Sequence, residues 1–441
     1  MSDFGLRSWI NSLKDKGRLE SIDRRVKLQW EIAAISKKFD GRKAVFFRNT
    51  DGPEIPIISN ILSDREWYSE KLGINPEDLL QELMKRQQKK IEPKLETDAP
   101  FLERIIEKIK ITDVLPIPTY HKHDAGPYIT AGVFFVHDPE TGIRNVSIHR
   151  MQVIDKNKFG LLILPRHLKS ILNRSKKTAL KVAISIGLDP ILLLSSQLVL
   201  SSEEDEINIA CAIKGEPISL TPGPWSGIPV PTDSEIVIEG EIPPNEKHEE
   251  GPFGEFPKYY GPSGKREILN VHSISMRKDA IYYSVLPAGF DHLLMGSIPR
   301  EVALLNSLRK NNPSVKDVSL PLSSSGRFHC FVKIEKQNEG EVKNILMSAL
   351  SSHYDMKHVI VVDHDIDIHD LQEIDWAIAT RFQAHKDLLV IEGVMGSKLD
   401  PSAKNGITSK MGLDATAPLG SLGKEFRTIK IPGYISSKEE S

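Results

Sequence analysis

Glu250 and Glu255 stand five residues apart in EEGPFGEF, Glu249 to Phe256, around Gly-Pro-Phe-Gly. Two carboxylates held this close can divide acid and base work when their surroundings separate their proton affinities. Spacing alone favours an ordinary solvated loop, and three features move the reading toward chemistry. Pro252 with its two glycines makes a defined turn. Phe253 and the following FPKYYG supply an apolar wall that would desolvate Glu255 and raise its pKa. NVSIHR places Arg150 in a strand of the same expected sheet. A guanidinium between two carboxylates would hold one ionised and leave the other able to carry a proton near neutrality.

The other constellations carry less. No GxxxxGK[ST] phosphate loop and no GxGxxG after a strand occurs in the sequence. DHDIDIHD, Asp363 to Asp370, would line up Asp363, Asp365 and Asp367 if extended. Acids and histidines after a strand such as HVIVVD read better as helix caps and turn formers than as a metal site. Cys211 and Cys330 lie in apolar, strand-like stretches and read as small buried hydrophobes. SSSGR, Ser323 to Arg327, lacks the strand–turn–helix setting of a nucleophile elbow.

The elements that must position these residues change texture along the 441 residues. Leu6, Trp9, Ile10 and Leu13 recur at helical spacing, AVFFRN and IPIIS read as strands, and PEDLLQELMKRQQKK reads as a helix opened by proline. From about 110 to 300, ITAGVFFV, NVSIHRMQVI, INIACAIKG, EIVIEGEI, REILNVHSISM and AIYYSVL read as short strands. Frequent turns between them predict an antiparallel or barrel-like sheet, with one helical insert at LPRHLKSILNRSKK. Beyond 300, helix and strand alternate as in a second α/β unit. The fold class expected is α/β (α+β multidomain): residues 1–105, 106–300 and 301–441.

Composition bounds the class: 39% hydrophobic and 27% charged residues are ordinary for a globular chain, and a net charge of -2 argues against nucleic acid. KRQQKK at Lys85–Lys90 reads as a wet helix face. Two cysteines are too few for a disulfide framework or a four-cysteine zinc site and fit a reducing compartment. MSDFGLRSW lacks a signal-peptide pattern, and PILLLSSQLVL is too short and too polar to cross a bilayer. The expectation is a cytoplasmic protein with no membrane partner.

NVSIHR, EGPFGE followed by YYG, and SKMGLDAT, in this order, resemble the UbiD family of reversible decarboxylases that use prenylated FMN. The resemblance runs through nearly the whole chain, the opening LRSWINSLKDKGRLESI included. It implies an N-terminal α/β domain, a central split-β-barrel-like flavin-binding domain and a C-terminal α/β domain. It also implies non-oxidative decarboxylation through a cofactor adduct, with Arg150, Glu250 and Glu255 catalytic and Glu255 in the proton-donor position. Some relatives carry aspartate there. Ile148, His149, Arg150, Arg166, His167 and Lys410 would face the cofactor. Asn145, Glu206 and His167 would hold Mn²⁺ against its phosphate, and Ser195 and Ser196 a K⁺ ion. A partner flavin prenyltransferase and a homo-oligomer, dimer or hexamer, come with the family.

His292, Arg300 and Arg327 resemble the furan-2,5-dicarboxylate branch, because the non-leaving carboxylate of a dicarboxylate needs cations when buried. Arg300 also fits an ordinary helix-start arginine. The runner-up substrate is a hydroxybenzoate or pyrrole-type monocarboxylate. From other classes, a non-catalytic flavin-binding subunit of a carboxylase and an ordinary FMN oxidoreductase stay open.

Overall fold

Ile148 and Met151 are the end and start of two strands, Arg144–Ile148 and Met151–Asp155, separated by His149 and Arg150 alone. In the computed structural model, which describes residues 4–175, 178–201 and 203–429, these strands lie toward opposite ends of one ten-stranded sheet. Its order is Tyr128–Ile129, Met151–Asp155, Lys158–Leu161, Gly264–Met276, Ile236–Ile242, Leu180–Ile186, Val133–His137, Arg144–Ile148. Lys247–Glu250 and Arg104–Ile106 also pair with Gly264–Met276. Three peptide steps from Ile148 to Met151 reach at most about 11 Å. The sheet therefore has to curl until its ends approach, and Arg150 sits at that seam. All its pairings are antiparallel, as the short strands predicted.

The chain forms two compact units, Met1–Ala303 and Leu304–Ser441. In the first, the opening helix Leu6–Asp15 buries the expected Leu6, Trp9, Ile10 and Leu13. It is followed by a sheet of Leu19–Val26, Ala44–Thr50 and Ile57–Ser59. The fourth strand of that sheet is Tyr282–Tyr283, parallel to Ile57–Ile58. AIYYSVL was expected in the central sheet, so this is a correction. Two fully buried tyrosines complete the N-terminal layer instead, with Tyr282 N–H donating to Pro56 O at 2.9 Å and Ser284 N–H to Ile58 O at 2.9 Å.

A second correction concerns INIACAIKG, which is the helix Glu206–Lys214 and not a strand. Alternating isoleucines imitate a strand, but Asp205 caps the first turn by accepting from Ile207 N–H at 2.8 Å. Gly215, at φ 94°, closes the helix in the left-handed conformation that glycine adopts freely. Cys211 therefore lies on a helix and Cys330 on a strand, both buried. The helical insert is the helix His167–Arg174, and its two following lysines, Lys176 and Lys177, lie outside the described residues.

The second unit holds a five-stranded sheet in the order Val315–Ser319, His329–Ile334, His358–Asp363, Ile407–Ala415, Leu388–Met395. Its inner pairs are parallel and its outer pairs antiparallel. The helix Phe290–Asn311 runs straight through position 300, with Pro299 inside it.

Candidate active site

Arg150 projects from the seam toward the loop that EGPFGEF forms. Its Nε donates to Glu250 Oε1 at 2.9 Å and its Nη2 to Glu250 Oε2 at 2.9 Å, a bidentate grip, while Nη1 donates to Glu255 Oε1. The side chains are 10%, 0% and 12% exposed in the order Arg150, Glu250, Glu255, so the network is screened from water yet open at Glu255. Burial alone would lower the Arg150 pKa. The charge of Glu255 and the bonds and charge of Glu250 reverse that and raise it, which fixes the guanidinium as a permanent cation.

The loop's backbone explains why this sequence suits the task. Glu250 ends the strand Lys247–Glu250, opposite Gly264. Gly251 turns at φ 88°, a left-handed value open to glycine. Phe253 is 4% exposed, lies under the Arg150 guanidinium at 4.9 Å and packs on Tyr128 at 4.3 Å. Of the expected apolar wall Phe253 and Phe256 are buried but Tyr259 and Tyr260 are exposed, and Phe253 packs instead with Tyr128, Tyr120, Leu286 and Ala33 from elsewhere in the chain. Gln152 supports it from below, its Oε1 accepting from Gly251 N–H and from the Tyr128 hydroxyl, each at 3.1 Å.

Asn145 and Glu206 also meet. Asn145 Nδ2 donates to Glu206 Oε1 at 3.0 Å and Val146 N–H to Glu206 Oε2 at 2.9 Å. Both side chains are buried, and burial pushes the Glu206 carboxyl up to about 7, since its hydrogen-bond partners are neutral. Glu206 takes part in no ion pair among the described residues. A buried carboxylate beside an amide oxygen, without a countercharge, fits a hard divalent cation. Arg144, next in the chain, reaches Asp205 Oδ2 with Nη2 at 3.7 Å, and its Nε and Nη1 are buried without a hydrogen-bond partner. His167 starts a helix that lies alongside the strand Arg144–Ile148. No cluster of three or more His, Cys, Asp or Glu able to hold a metal is found among the described residues, so an ion here would rely on the asparagine oxygen.

The remaining predicted residues are placed as follows. His149 bonds Ser147 Oγ at 2.9 Å and the Leu162 carbonyl at 3.3 Å, and burial drives its pKa down to about 4, so the ring is neutral. Ile148 ends its strand beside it, and Arg166 is exposed at the N-cap of the helix that His167 opens. The Ser195 and Ser196 hydroxyls donate to Ile191 O and Leu193 O, both at 2.7 Å, and keep oxygen lone pairs to offer. His292 Nδ1 accepts from Ala288 N–H at 3.1 Å, and Arg300 Nη1 donates to Gly296 O, both on the helix Phe290–Asn311. Arg327, in the second unit, follows the turn Leu322–Ser324. Lys410 Nζ donates to Leu350 O at 2.6 Å and His353 O at 3.0 Å, closing the C-terminal end of the helix Glu341–Ser352.

DHDIDIHD does what caps and turns do, and more. Asp370 caps the helix Leu371–Arg381 through Gln372 N–H at 2.9 Å. Asp363 and Asp365 grip Arg381, a partner the sequence reading missed.

Three family models cover the chain. They describe the N-terminal, Rift-related and C-terminal domains of 3-octaprenyl-4-hydroxybenzoate carboxy-lyase and match residues 10–87, 94–290 and 293–415. The chain belongs to the UbiD family. As a UbiD protein it is a carboxy-lyase of the prenylated-FMN type. It is similar to the UbiD-class enzyme HmfF from Pelotomaculum thermopropionicum in complex with FMN, with a TM-score of 0.95, 40% identity and coverage of 97% of this chain and 98% of that one. An evolved dimeric HmfF in complex with prFMN gives 0.91 and 38%, over 99% of this chain and 100% of that one. Anhydromevalonate phosphate decarboxylase of Methanothermobacter thermautotrophicus is 34% identical over 428 residues, 96% of this UbiD chain and all of that protein. No helix among the described residues is long and apolar enough to cross a membrane.

Proposed function

We propose that this chain decarboxylates a small unsaturated acid bearing a second anionic group, furan-2,5-dicarboxylate to 2-furoate in the reading we favour. The observation that carries the chemistry is the water-screened Arg150–Glu250–Glu255 network at the barrel seam. Prenylated FMN, when bound, supplies the electron sink that lets the carboxylate depart as CO₂. Glu255 would deliver the proton that the ring carbon takes up in place of the departed carboxylate. Arg150 grips Glu250 bidentately and holds Glu255 at the end of its reach. Phe253 and Tyr128 exclude water from the carbon being protonated.

Asn145 and Glu206, with His167, are the residues to hold Mn²⁺ beside the cofactor phosphate. Ser195 and Ser196 are the K⁺ donors, while Ile148, His149 and Arg166 complete the cofactor set. His292 and Arg300, on one helix, are assigned to the second anion of the substrate, for which cations are the chemical requirement. A second reading rests on the relatives named anhydromevalonate phosphate decarboxylase, whose named substrate carries a phosphate as its second anion. A homo-oligomer in the cytoplasm, supplied by a flavin prenyltransferase, completes the proposal.

The test uses protein co-expressed with a flavin prenyltransferase and purified without oxygen. Furan-2,5-dicarboxylate and anhydromevalonate phosphate are offered separately and the products followed by chromatography. 2-Furoate supports the favoured reading. Turnover of the phosphate alone transfers the cation set to that substrate. Turnover of neither, with modified flavin bound, overturns both substrate readings.

A further inference from the structure

The segment HKHDAG, His121 to Gly126, lies across the catalytic loop, and neither the family motifs nor the network above accounts for it. Asp124 has a side chain with 0% exposure. Its Oδ1 accepts from Gly254 N–H at 2.9 Å, the peptide immediately before Glu255, and its Oδ2 accepts from His121 N–H at 2.8 Å. The same segment returns a bond the other way, Ala125 N–H to Pro252 O at 2.9 Å. The His121 ring stands edge-on to Phe253 at 6.5 Å and to Tyr260 at 6.4 Å. A Cβ on Gly254 would come within 2.4 Å of His121 Nδ1, so the strap rests directly on loop backbone.

A buried carboxylate needs a reason to be there, because leaving water costs several kcal/mol unless its oxygens are satisfied. Here both oxygens are used on backbone amides, and one of those amides adjoins the proton donor. The backbone of Glu255 is held within its own turn, its N–H on Tyr259 O at 2.9 Å and its carbonyl accepting from Lys258 N–H at 2.9 Å, while its side chain takes Arg150 Nη1. The Asp124 bond fixes that turn to a different part of the fold, since Trp30 N–H and Nε1 hold Thr119 O at 2.8 Å and His121 O at 3.2 Å.

We propose that Asp124 is a positioning residue for proton delivery, setting the backbone from which Glu255 reaches the substrate carbon. The inference rests on Glu255 being the proton donor. A displacement of about 1 Å in such a group costs on the order of a hundredfold in rate. The substitution Asp124→Ala is expected to lower kcat about 10- to 100-fold with KM within about twofold, and to raise the solvent deuterium isotope effect on kcat. Loss of properly folded enzyme would lower kcat without changing that isotope effect. Asp124→Asn keeps one carbonyl oxygen and is expected to fall between Asp124→Ala and the unsubstituted chain.

The readout independent of turnover is amide hydrogen exchange of the peptide containing Gly254, measured on cofactor-free protein. It should speed up in Asp124→Ala and less so in Asp124→Asn. Gly254→Ala leaves Asp124 in place but pushes the strap away, and it should reproduce the isotope effect even where Asp124→Ala fails to fold. Glu255→Gln serves as the reference. Wild-type turnover in Glu255→Gln removes the proton-donor reading itself. An inactive Glu255→Gln with wild-type kcat and isotope effect in both Asp124→Ala and Gly254→Ala overturns the role of Asp124 alone.

Discussion

Among the described residues one motif recurs: an arginine gripping two carboxylates over an aromatic ring. Arg150 takes Glu250 bidentately and Glu255 once, over Phe253 at 4.9 Å. Arg381 takes Asp365 at 2.9 and 2.7 Å and Asp363 at 2.6 Å, over Trp376 at 5.3 Å. The residue types would not distinguish a reactive site from a brace. The connections do. Asp363 and Arg381 are 18 residues apart, at the end of a strand and the end of the next helix, and Asp363 also accepts Ala417 N–H at 2.7 Å. That arrangement locks one strand–helix unit. Arg150 and Glu255 are 105 residues apart, and the acid sits on a glycine-bounded loop strapped from outside. Burial opposes ionisation of Asp363 and raises its pKa, the price of placing it inside; Glu255 keeps an edge toward solvent.

The comparison can be broken where its effects are largest. Glu255→Gln should lower kcat by about 10²–10⁴-fold while the denaturation midpoint stays near that of the unsubstituted chain, as removal of a general acid implies. Wild-type turnover would reduce the Arg150 network to a second brace. Arg381→Ala strands the buried Asp363 charge and should cost about 3–5 kcal/mol in urea unfolding of the second unit. Adding Asp363→Asn should recover part of that loss, and no recovery would mean that the ion pair is not what the arginine supplies.

Acid sharpens the contrast from another side, because each region carries a neutral histidine. His329 is driven down to about 4 by burial, then by His358 and Lys357, and its Nε2 lies 2.9 Å from His358 Nδ1. His149 is driven down to about 4 by burial. The unfolded chain takes up these protons near pH 6.5, before the folded one does, so their stabilisation is complete above that value and falls as pH drops toward about 4. His329→Asn and His149→Asn should each shrink the gap between urea midpoints measured above pH 7 and near pH 5. An unchanged gap would show that these rings are not neutral in the fold. The smallest effect belongs to Lys410→Met, which removes a helix-end cation and should cost about 0.5–1.5 kcal/mol by thermal melting. A larger loss of bound flavin than of stability would favour its phosphate role over its role as a cap.

The parts legible in the sequence were those with local or motif-borne signals. The opening helix announced itself by spacing, the antiparallel sheet by its turns, and Arg150, Glu250 and Glu255 by the motifs that carry the family resemblance. What escaped depended on tertiary partners. Glu206 to Lys214 alternates apolar and polar residues at its start, and only the Asp205 cap and Gly215 stop favour helix over strand. Asp124 looks like any turn aspartate until Gly254 is beside it. Asp363 and Asp365 gave no hint of Arg381, whose stretch DLQEIDWAIATRF reads simply as a helix.

The pairing of Tyr282–Tyr283 with Ile57–Ile58 bears on how the chain is made. The strand that finishes the first sheet leaves the ribosome about 225 residues after its partner. At translation rates of about 5–20 residues per second, that interval is roughly 10–45 s. Through it the edge of Ile57–Ser59 has no native neighbour. The nascent N-terminal layer therefore carries an unpaired strand edge through most of its synthesis, and a fragment cut near residue 105 would keep that open edge permanently.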